Sequence, residues 1–241
     1  MSIEIPVLAE NVIMKLSGGA DSALLLWLIC NEWTKQNKPL HVYTITGIHK
    51  QRPWQPYHAQ QVLDFMHEQW PDVHFVRHDT RLVENPADPP LHLDYPKNQY
   101  GETQELMKID VINEIKQDLQ VFNAITSNPP LKYKGYWGTS PIMGDVWEKG
   151  DLKMRAWETR EERKVINQHH HDGFMVWYCS PFFRHDKSTV MELYREHGLL
   201  RHLLPLTRSC EGWDYMTKNF TQECGHCWWC KEREWALSVL S

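Results

Sequence analysis

Six residues near the N-terminus follow the pattern Ser-Gly-Gly-x-Asp-Ser, from Ser17 to Ser22. Gly18 and Gly19 permit positive φ angles and close backbone approach, and N–H groups at a helix N-terminus attract an anion. The hydroxyls of Ser17 and Ser22 add hydrogen-bond donors. Asp21 would repel a phosphate directly, so its expected use is to bind Mg²⁺, which bridges carboxylate and phosphate oxygens. The pattern predicts a phosphate-binding loop.

The same loop has a simpler interpretation as a tight turn, in which Asp21 or Ser22 caps the following helix. The loop lies at the first predicted strand-to-helix junction, where ligands bind in open α/β sheets, and this position favours the phosphate site. The GxxxxGK[ST] spacing is absent, so the loop is not of the Walker type.

Four of the six cysteines are clustered near the C-terminus: Cys210, Cys224, Cys227 and Cys230. Four thiolates suit tetrahedral Zn²⁺, which is the expected metal. The C-x2-C-x2-C run is also compatible with an iron–sulfur cluster. Four free buried cysteines would not explain such tight spacing. Cys30 and Cys179 are expected to pack as small hydrophobic residues.

Strand-like and helical patterns alternate along the chain. Strands are predicted at residues 12–16, 41–48, 73–76, 121–126 and 174–178. Helices are predicted at residues 23–29, 57–69, 102–119 and 187–197, the last stopped by Gly198. Alternation of this kind implies parallel strands joined by right-handed crossovers, which is the doubly wound α/β architecture.

Two further expectations concern the middle and the end of the chain. In the predicted helix over residues 102–119, apolar residues recur every three or four positions and should form its buried face: Leu106, Ile109, Ile112, Ile115 and Leu119. Residues 131–172 show no regular pattern. We expect a nucleotide-binding α/β domain over residues 1–205 and a small metal-binding segment with a terminal helix over residues 206–241.

Bulk composition excludes several classes of function. The net charge of −5 and the pI near 6.3 argue against a broad basic surface for nucleic acid, so a small substrate is favoured. The N-terminus lacks a secretory signal pattern, and the longest apolar run, residues 23–30, is too short to cross a membrane. A cytoplasmic location is expected.

The loop over residues 17–22 resembles the signature of the PP-loop ATP pyrophosphatases, which have an adenine nucleotide alpha-hydrolase-like fold and cleave ATP to AMP and pyrophosphate. Three later segments, residues 179–187, 207–211 and 224–233, are similar to the C-terminal half of the 7-cyano-7-deazaguanine synthases. The similarity covers both ends of the chain, whereas residues 91–136 lack the pattern expected on the substrate side. Gln51 and Arg52 resemble a GQRH-like turn of that family, with Lys50 and Pro53 replacing its glycine and histidine.

The resemblance implies an ATP-dependent ligase that adenylates the carboxylate of 7-carboxy-7-deazaguanine and converts it with ammonia to the amide or nitrile. ATP, Mg²⁺ and Zn²⁺ are the implied cofactors, and homodimers are common in the family. Ser17, Gly18, Gly19, Asp21 and Ser22 would bind the ATP phosphates, and the four clustered cysteines would hold zinc.

Lys187 matches a family lysine and would neutralise charge on the phosphates as AMP and pyrophosphate separate. The alternative interpretation is that Lys187 is a solvent-exposed lysine at the start of a helix. Trp54, Tyr57, Tyr136 and Trp137 are candidates to stack on the base. Two other functions stay open. One is a PP-loop enzyme of tRNA thiolation or sulfonucleotide reduction, and the other is a non-catalytic ATP-binding zinc module.

Overall fold

A mostly parallel sheet organises the computed structural model, which describes residues 3–48, 52–82, 99–127, 129, 165–212 and 214–240. Its strands are β1 (Asn11–Lys15), β2 (His41–Ile48), β3 (His74–Leu82), β4 (Leu119–Phe122), β5 (Ile166–His171) and β6 (Phe174–Cys179). Their order is β3-β2-β1-β4-β6-β5. All neighbours pair in parallel except β5, which runs antiparallel to β6 at the edge.

Helices cover both faces of this sheet. They are α1 (Ala20–Lys35), α2 (Gln55–Gln69), α3 (Gln99–Ile115), α4 (Lys187–Glu196) and α5 (Trp228–Ser238). Side chains of α1, α2, α4 and α5 share one core cluster, whereas those of α3 belong to a second cluster. Successive strand residues point to opposite faces, so Val12 and Met14 enter the first cluster and Ile13 enters the second. The doubly wound α/β architecture predicted from the sequence is confirmed.

The strand order places β1 at the centre, between β2 and β4. The chain builds outward from β1 to β3, then crosses back through α3 to place β4 on the other side of β1. Such a reversal opens a crevice at the carboxyl ends of the two central strands, which is where doubly wound proteins bind ligands. The loop over residues 17–22 leaves β1 at this crevice.

Most predicted elements are present, with shifted ends. The first helix is longer than predicted and runs over Ala20–Lys35, and β3 extends to Leu82. The third helix ends at Ile115 rather than 119, because Lys116 adopts a positive φ of 48° and Leu119 already begins β4. Gly198 follows α4 with a φ of 70°, as expected of a C-terminal stop.

The predicted buried face of α3 is wrong at two positions. Leu106 and Ile109 are 55% and 43% exposed, whereas Met107, Val111 and Ile112 are buried against the sheet. Lys108 is also buried on this face, so a prediction from the spacing of apolar residues alone selects the wrong face. Its amine lies 4.8 Å from the centre of the Tyr178 ring and pairs with Glu105, so its stem takes a position on the packed face.

Strand β5 was missed, because residues 131–172 gave no regular pattern. Its sequence is INQHHH and its side chains are mostly exposed, so no apolar alternation marks it. Asp172 and Gly173, with φ angles of 40° and 97°, join it to β6 in a two-residue hairpin. An Asp-Gly pair is a strong hairpin signal and could have located the strand. Within the described ranges, no helix has the length and apolar character needed to cross a membrane.

The C-terminal region contributes to two cores. Trp235 and Ala236 of α5 pack in the main cluster with α4, whereas the four clustered cysteines form a small cluster of their own. The division at residue 205 stays a prediction.

Candidate functional site

The backbone conformation and the close packing at Gly18 both favour glycine. Its φ is +71°, and a Cβ built there would lie 2.8 Å from His58 Cβ and 2.9 Å from both Ala59 N and Gln55 O. A side chain would therefore strain the backbone and clash with the first turns of α2. This close approach fixes the loop, which follows β1, against α2.

The loop hydroxyls are held by its own backbone. Ser22 Oγ donates to Gly19 O at 3.1 Å and accepts from Ser17 N at 3.2 Å. Ser17 Oγ lies 3.2 Å from Ser22 Oγ and accepts from Gly19 N at 3.3 Å. Gly19 is the N-cap of α1 and has no side chain to offer, so the predicted alternative, capping by Asp21 or Ser22, is not what these residues do. The N-terminus of α1 keeps its attraction for anions.

Asp21 and Lys187 form an ion pair across the site. Lys187 Nζ contacts Asp21 Oδ2, and the lysine side chain is only 2% exposed. Asp186 caps α4 by accepting from Ser188 N at 3.0 Å and Thr189 N at 3.4 Å, which starts the helix where Lys187 reaches the loop. The solvated-lysine interpretation is wrong. The structure brings together the two residues predicted to be catalytic.

The second carboxylate oxygen of Asp21 has different surroundings. Asp21 Oδ1 is buried and has no hydrogen-bond partner in the part of the chain that the structure describes. Mg²⁺ prefers such carboxylate oxygens together with phosphate oxygens, so the residues fit the predicted ion. Nearby, Tyr194 donates to Ala20 O at 2.8 Å. Burial, and then the charge of Asp21, raise the pKa of Tyr194 and keep it a neutral donor.

Two buried hydroxyls follow β4, and the sequence did not single them out as site residues. Thr126 and Ser127 are 1% and 3% exposed, and neither side-chain oxygen has a hydrogen-bond partner among the described residues. Ser127 N donates to His185 O at 2.7 Å, which holds this segment beside the start of α4. Buried polar atoms are normally paired, so these two hydroxyls are candidates to meet a ligand at the crevice between β1 and β4.

The four clustered cysteines form a compact sulfur cage. Their sulfurs all lie within 4.8 Å of one another, and the Sγ atoms of Cys224 and Cys230 are 3.9 Å apart. A tetrahedral zinc site with Zn–S bonds of about 2.3 Å needs sulfurs about 3.8 Å apart. All four residues are buried. The donor set therefore fits a single four-coordinate metal ion, and the sulfur ligands alone do not decide which ion it is.

Backbone N–H groups surround the sulfurs. Cys210 Sγ accepts from Cys224 N at 3.2 Å and Gly212 N at 3.3 Å, and Cys227 Sγ accepts from Glu211 N at 3.4 Å. Two further N–H groups, of His226 and Cys227, point at Cys224 Sγ. These donors stabilise thiolate charge, as expected around metal-binding sulfurs.

The closely spaced thiols of the cage shift one another's pKa values. Hydrogen bonds from Cys210, Cys227 and Cys230 lower the pKa of Cys224. Hydrogen bonds with the sulfurs of Cys210 and Cys224 raise the pKa values of Cys227 and Cys230, because they hold those protons. Four thiolates cannot share so small a volume unless a positive ion offsets their repulsion.

The segment before Cys210 touches the phosphate loop, a contact that the sequence did not predict. Arg208 N donates to Gly18 O at 2.8 Å, and Ala20 N lies 3.4 Å from Ser209 Oγ. The sequence contains only an indirect indication of this contact, because residues 207–211 form one of the segments that carry the family resemblance. The metal cage and the phosphate loop are thus neighbours in space although about 190 residues separate Gly18 from Arg208 in sequence.

No protein-family model matches the sequence, and no curated protein matches it. Among solved structures, the chain is similar to U34-tRNA thiolase NcsA from Methanococcus maripaludis with its 4Fe-4S cluster, at 17% identity and a TM-score of 0.45, covering 95% of this chain and 72% of that one. It is also similar to NAD+ synthetase from Burkholderia pseudomallei, at 14% identity and a TM-score of 0.40, covering 96% and 78%. Similarity at this level says nothing about activity, and the fold assignment rests on the strand order.

The predicted base-stacking residues are only partly placed. Trp54 is 7% exposed, and the Arg208 guanidinium lies 5.3 Å from its ring centre, so one ring face is occupied. Tyr57 is 63% exposed and extends from α2. Tyr136 and Trp137 lie outside the described residues, as does Gln51, whereas Arg52 pairs with Glu211 at 2.6 Å.

The remaining two cysteines are inert core residues, as predicted. Cys30 and Cys179 are fully buried. Burial raises the pKa of Cys179 to about 11 and that of Cys30 further, so neither forms a thiolate near neutral pH.

Proposed function

We propose that this chain is a PP-loop enzyme that binds ATP at residues 17–22 and cleaves it to AMP and pyrophosphate. The observation that carries the proposal is the ion pair of the buried Lys187 with Asp21, at a helix N-terminus that follows two glycines. Burying a lysine and a carboxylate has a desolvation cost, which a purely structural turn does not require. The pair is understandable as a charged site prepared for an anion and its cation.

In the proposed reaction the loop binds the pyrophosphate part of ATP. The Gly18–Gly19 backbone and the Ser17 and Ser22 hydroxyls bind the β- and γ-phosphates, and Lys187 exchanges part of its contact with Asp21 for phosphate oxygen. Asp21 Oδ1 would hold Mg²⁺, which would offset the charge that builds up on the pyrophosphate. A substrate carboxylate oxygen attacks the α-phosphorus, and the bond to the bridging oxygen breaks.

Adenylation prepares the substrate carboxyl carbon for ammonia. Ammonia adds to the acyl carbon, the C–O bond to AMP breaks and a proton is lost, which leaves the amide. A second activation, at the amide oxygen, followed by loss of two N–H protons and AMP, leaves the nitrile. The buried hydroxyls of Thr126 and Ser127 are suited to orient the carboxylate, because both lack partners in the described structure and their segment is held beside the start of α4.

We further propose 7-carboxy-7-deazaguanine as the carboxylate substrate. The support is the resemblance of residues 179–187, 207–211 and 224–233 to the 7-cyano-7-deazaguanine synthases. Lys187 and Cys210 lie in two of those segments, and both belong to the site described above. The negative net charge agrees with a small substrate rather than a nucleic acid.

The cysteine cage is assigned a structural zinc in this proposal. All four thiols are buried, and no open coordination position is needed for the proposed chemistry. A sulfur-transfer reaction that used a free cysteine is disfavoured. The chain has six cysteines, four of which form the cage, while burial raises the pKa values of the other two.

The test is a product analysis with the purified, zinc-loaded protein. Mg²⁺, ATP, ammonium and 7-carboxy-7-deazaguanine are supplied, and AMP, pyrophosphate and the purine products are measured by chromatography and mass spectrometry. The proposal requires one AMP per amide, or two per nitrile. Lys187→Met should stop AMP release, whereas Lys35→Met, which removes an exposed lysine, should leave the rate unchanged.

The outcomes separate the two parts of the proposal. No AMP release with any carboxylate offered would refute ATP cleavage itself. AMP release that does not depend on the deazapurine, with no new purine product, would leave the ATP chemistry standing and remove the substrate.

A further inference from the structure

The segment over residues 206–211 connects the sulfur cage to the phosphate loop. At one end Arg208 N donates to Gly18 O and Ser209 Oγ lies beside Ala20 N, at 2.8 Å and 3.4 Å. At the other end Cys210 is one of the four cage residues. Only one residue separates the loop contact of Arg208 from the metal ligand, so a shift of Cys210 must move Ser209 as well.

The cage holds this segment by close backbone contact. A Cβ at Gly212 would lie 2.6 Å from Cys224 Cβ and 2.8 Å from its sulfur, so the backbone approaches the cage as closely as glycine allows. The N–H groups of Glu211 and Gly212 donate to cage sulfurs at 3.4 Å and 3.3 Å. These contacts depend on four sulfurs that stay together, which requires the metal.

The Arg208 side chain ties down the loop between Cys210 and Cys224. Its guanidinium donates to Phe220 O and to Gln222 O, the latter at 2.5 Å, and lies against the ring of Trp54. Lys218, Asn219 and Phe220 have consecutive positive φ angles of 47°, 55° and 63°.

Three such residues in a row are strained, and strain of this kind persists only where the surroundings enforce it. Loss of the metal would let this loop relax, and Arg208 would lose its two carbonyl acceptors. The position of Arg208 N on Gly18 O would then no longer be fixed.

We infer that Ser209 is an additional phosphate-positioning residue, and that metal binding at the cage and nucleotide binding at the loop are energetically coupled through Arg208 and Ser209. This inference rests on the proposed binding of ATP at residues 17–22. Ser209 Oγ accepts the hydrogen of the Ala20 amide, the first N–H of α1, at 3.4 Å. The hydroxyl therefore lies at this helix N-terminus, where it can donate its own hydrogen to a phosphate oxygen. Because coupling between two binding sites is reciprocal, the nucleotide must also tighten the hold on the metal.

The experiment measures zinc affinity in the full-length protein. Zinc-loaded protein is equilibrated with graded concentrations of a chelator of known affinity, with and without a saturating non-hydrolysable ATP analogue and Mg²⁺. Analogue binding is measured separately by calorimetry. Coupling of the usual size predicts that the analogue tightens zinc binding about 5-fold or more.

Two variants and a control assign the coupling to this segment. Ser209→Ala keeps all four cysteines, so zinc affinity without nucleotide should stay unchanged, while the analogue should bind about 10-fold more weakly because a hydrogen bond to a charged group is lost. Arg208→Lys cannot reach both carbonyls and should reduce the effect of the analogue on zinc. Tyr215→Phe removes a hydroxyl from a 74% exposed side chain of the same loop and should keep the full effect.

Each outcome decides the inference. Zinc affinity that is identical with and without bound analogue would overturn the coupling and leave the proposed ATP chemistry intact. Full coupling in Ser209→Ala and Arg208→Lys would remove these two residues from it. An analogue that does not bind at all would refute this inference and the proposed function together.

Discussion

Removal of the Asp21 carboxylate leaves a buried cation without a partner. Lys187 is 2% exposed and contacts Asp21 Oδ2, so Asp21→Ala leaves a buried positive charge without its partner. Breaking a buried ion pair from one side costs about 3 to 5 kcal/mol. The lower end applies here, because the Asp21 side chain is 22% exposed and water screens it in the native protein. Alanine is the better helix former and offsets about 0.5 kcal/mol in α1.

The expected loss of unfolding free energy for Asp21→Ala is therefore about 2 to 3 kcal/mol. For a chain of this length each kcal/mol lowers the melting temperature by about 2 to 4 °C, so a decrease of about 5 to 10 °C is expected. The fold should persist at 25 °C, while AMP formation should be abolished because the proposed Mg²⁺ ligand is lost.

The assay is urea unfolding of the nucleotide-free protein, with a matched control and a double variant. Glu32→Ala removes an acid from an exposed pair in the same helix and should cost less than about 0.5 kcal/mol. Asp21→Ala combined with Lys187→Met removes both charges, so it should recover most of the stability and none of the activity.

Two results would contradict this reasoning. One is a stability loss for Asp21→Ala no larger than that for Glu32→Ala, which would mean that the lysine does not depend on the carboxylate. The other is a double variant less stable than Asp21→Ala alone, which would show that the packing of the lysine matters more than its charge.

Three further outcomes are expected. Gly18→Ala should lower the unfolding free energy by about 2 kcal/mol or more and weaken nucleotide binding, whereas Gly198→Ala, with a similar φ and open space around its Cβ, should cost only about 1 kcal/mol in the same urea titration. Cys227→Ser should lower the metal content, as measured by elemental analysis, and speed proteolysis of the C-terminal segment. Cys179→Ser, which changes a cysteine outside the cage, should leave the metal content unchanged. Burial lowers the pKa of His58 below its ordinary value of 6.5. The stability that neutral His58 contributes is therefore present above pH 6.5 and is lost as the pH falls through the lowered pKa. His58→Asn should flatten that part of the curve of unfolding free energy against pH, and an unchanged slope would contradict this expectation.

The sequence predicted the fold because its local signals agree with one another. Apolar strands, intervening amphipathic helices and the glycine pair after the first strand all indicate the same doubly wound architecture. The exceptions have physical causes. Strand β5 lies at an edge with exposed polar side chains, so burial leaves no mark in its sequence. The face of α3 was misjudged because Lys108 covers apolar surface with its stem.

The chemical types in the candidate site were also readable from the sequence. Two glycines, two serines and an aspartate in one hexapeptide, and four cysteines in one cluster, are local patterns whose spacing restricts what they can bind. Their roles in binding ATP and zinc stay predictions that the experiments above address. What the spacing could not give is how the two patterns are related in space.

That relation was decided by the tertiary structure alone. Asp21 and Lys187 are 166 residues apart in the chain, and their ion pair exists because β1 and β4 lie side by side and the start of α4 crosses their ends. The contact of Arg208 with Gly18 likewise requires the chain to return over the phosphate loop after α4. Local patterns specify which atoms a segment offers, since they depend on neighbours a few positions away. Which segments meet depends on the packing of the whole sheet and its helices, and no short stretch of sequence contains that information.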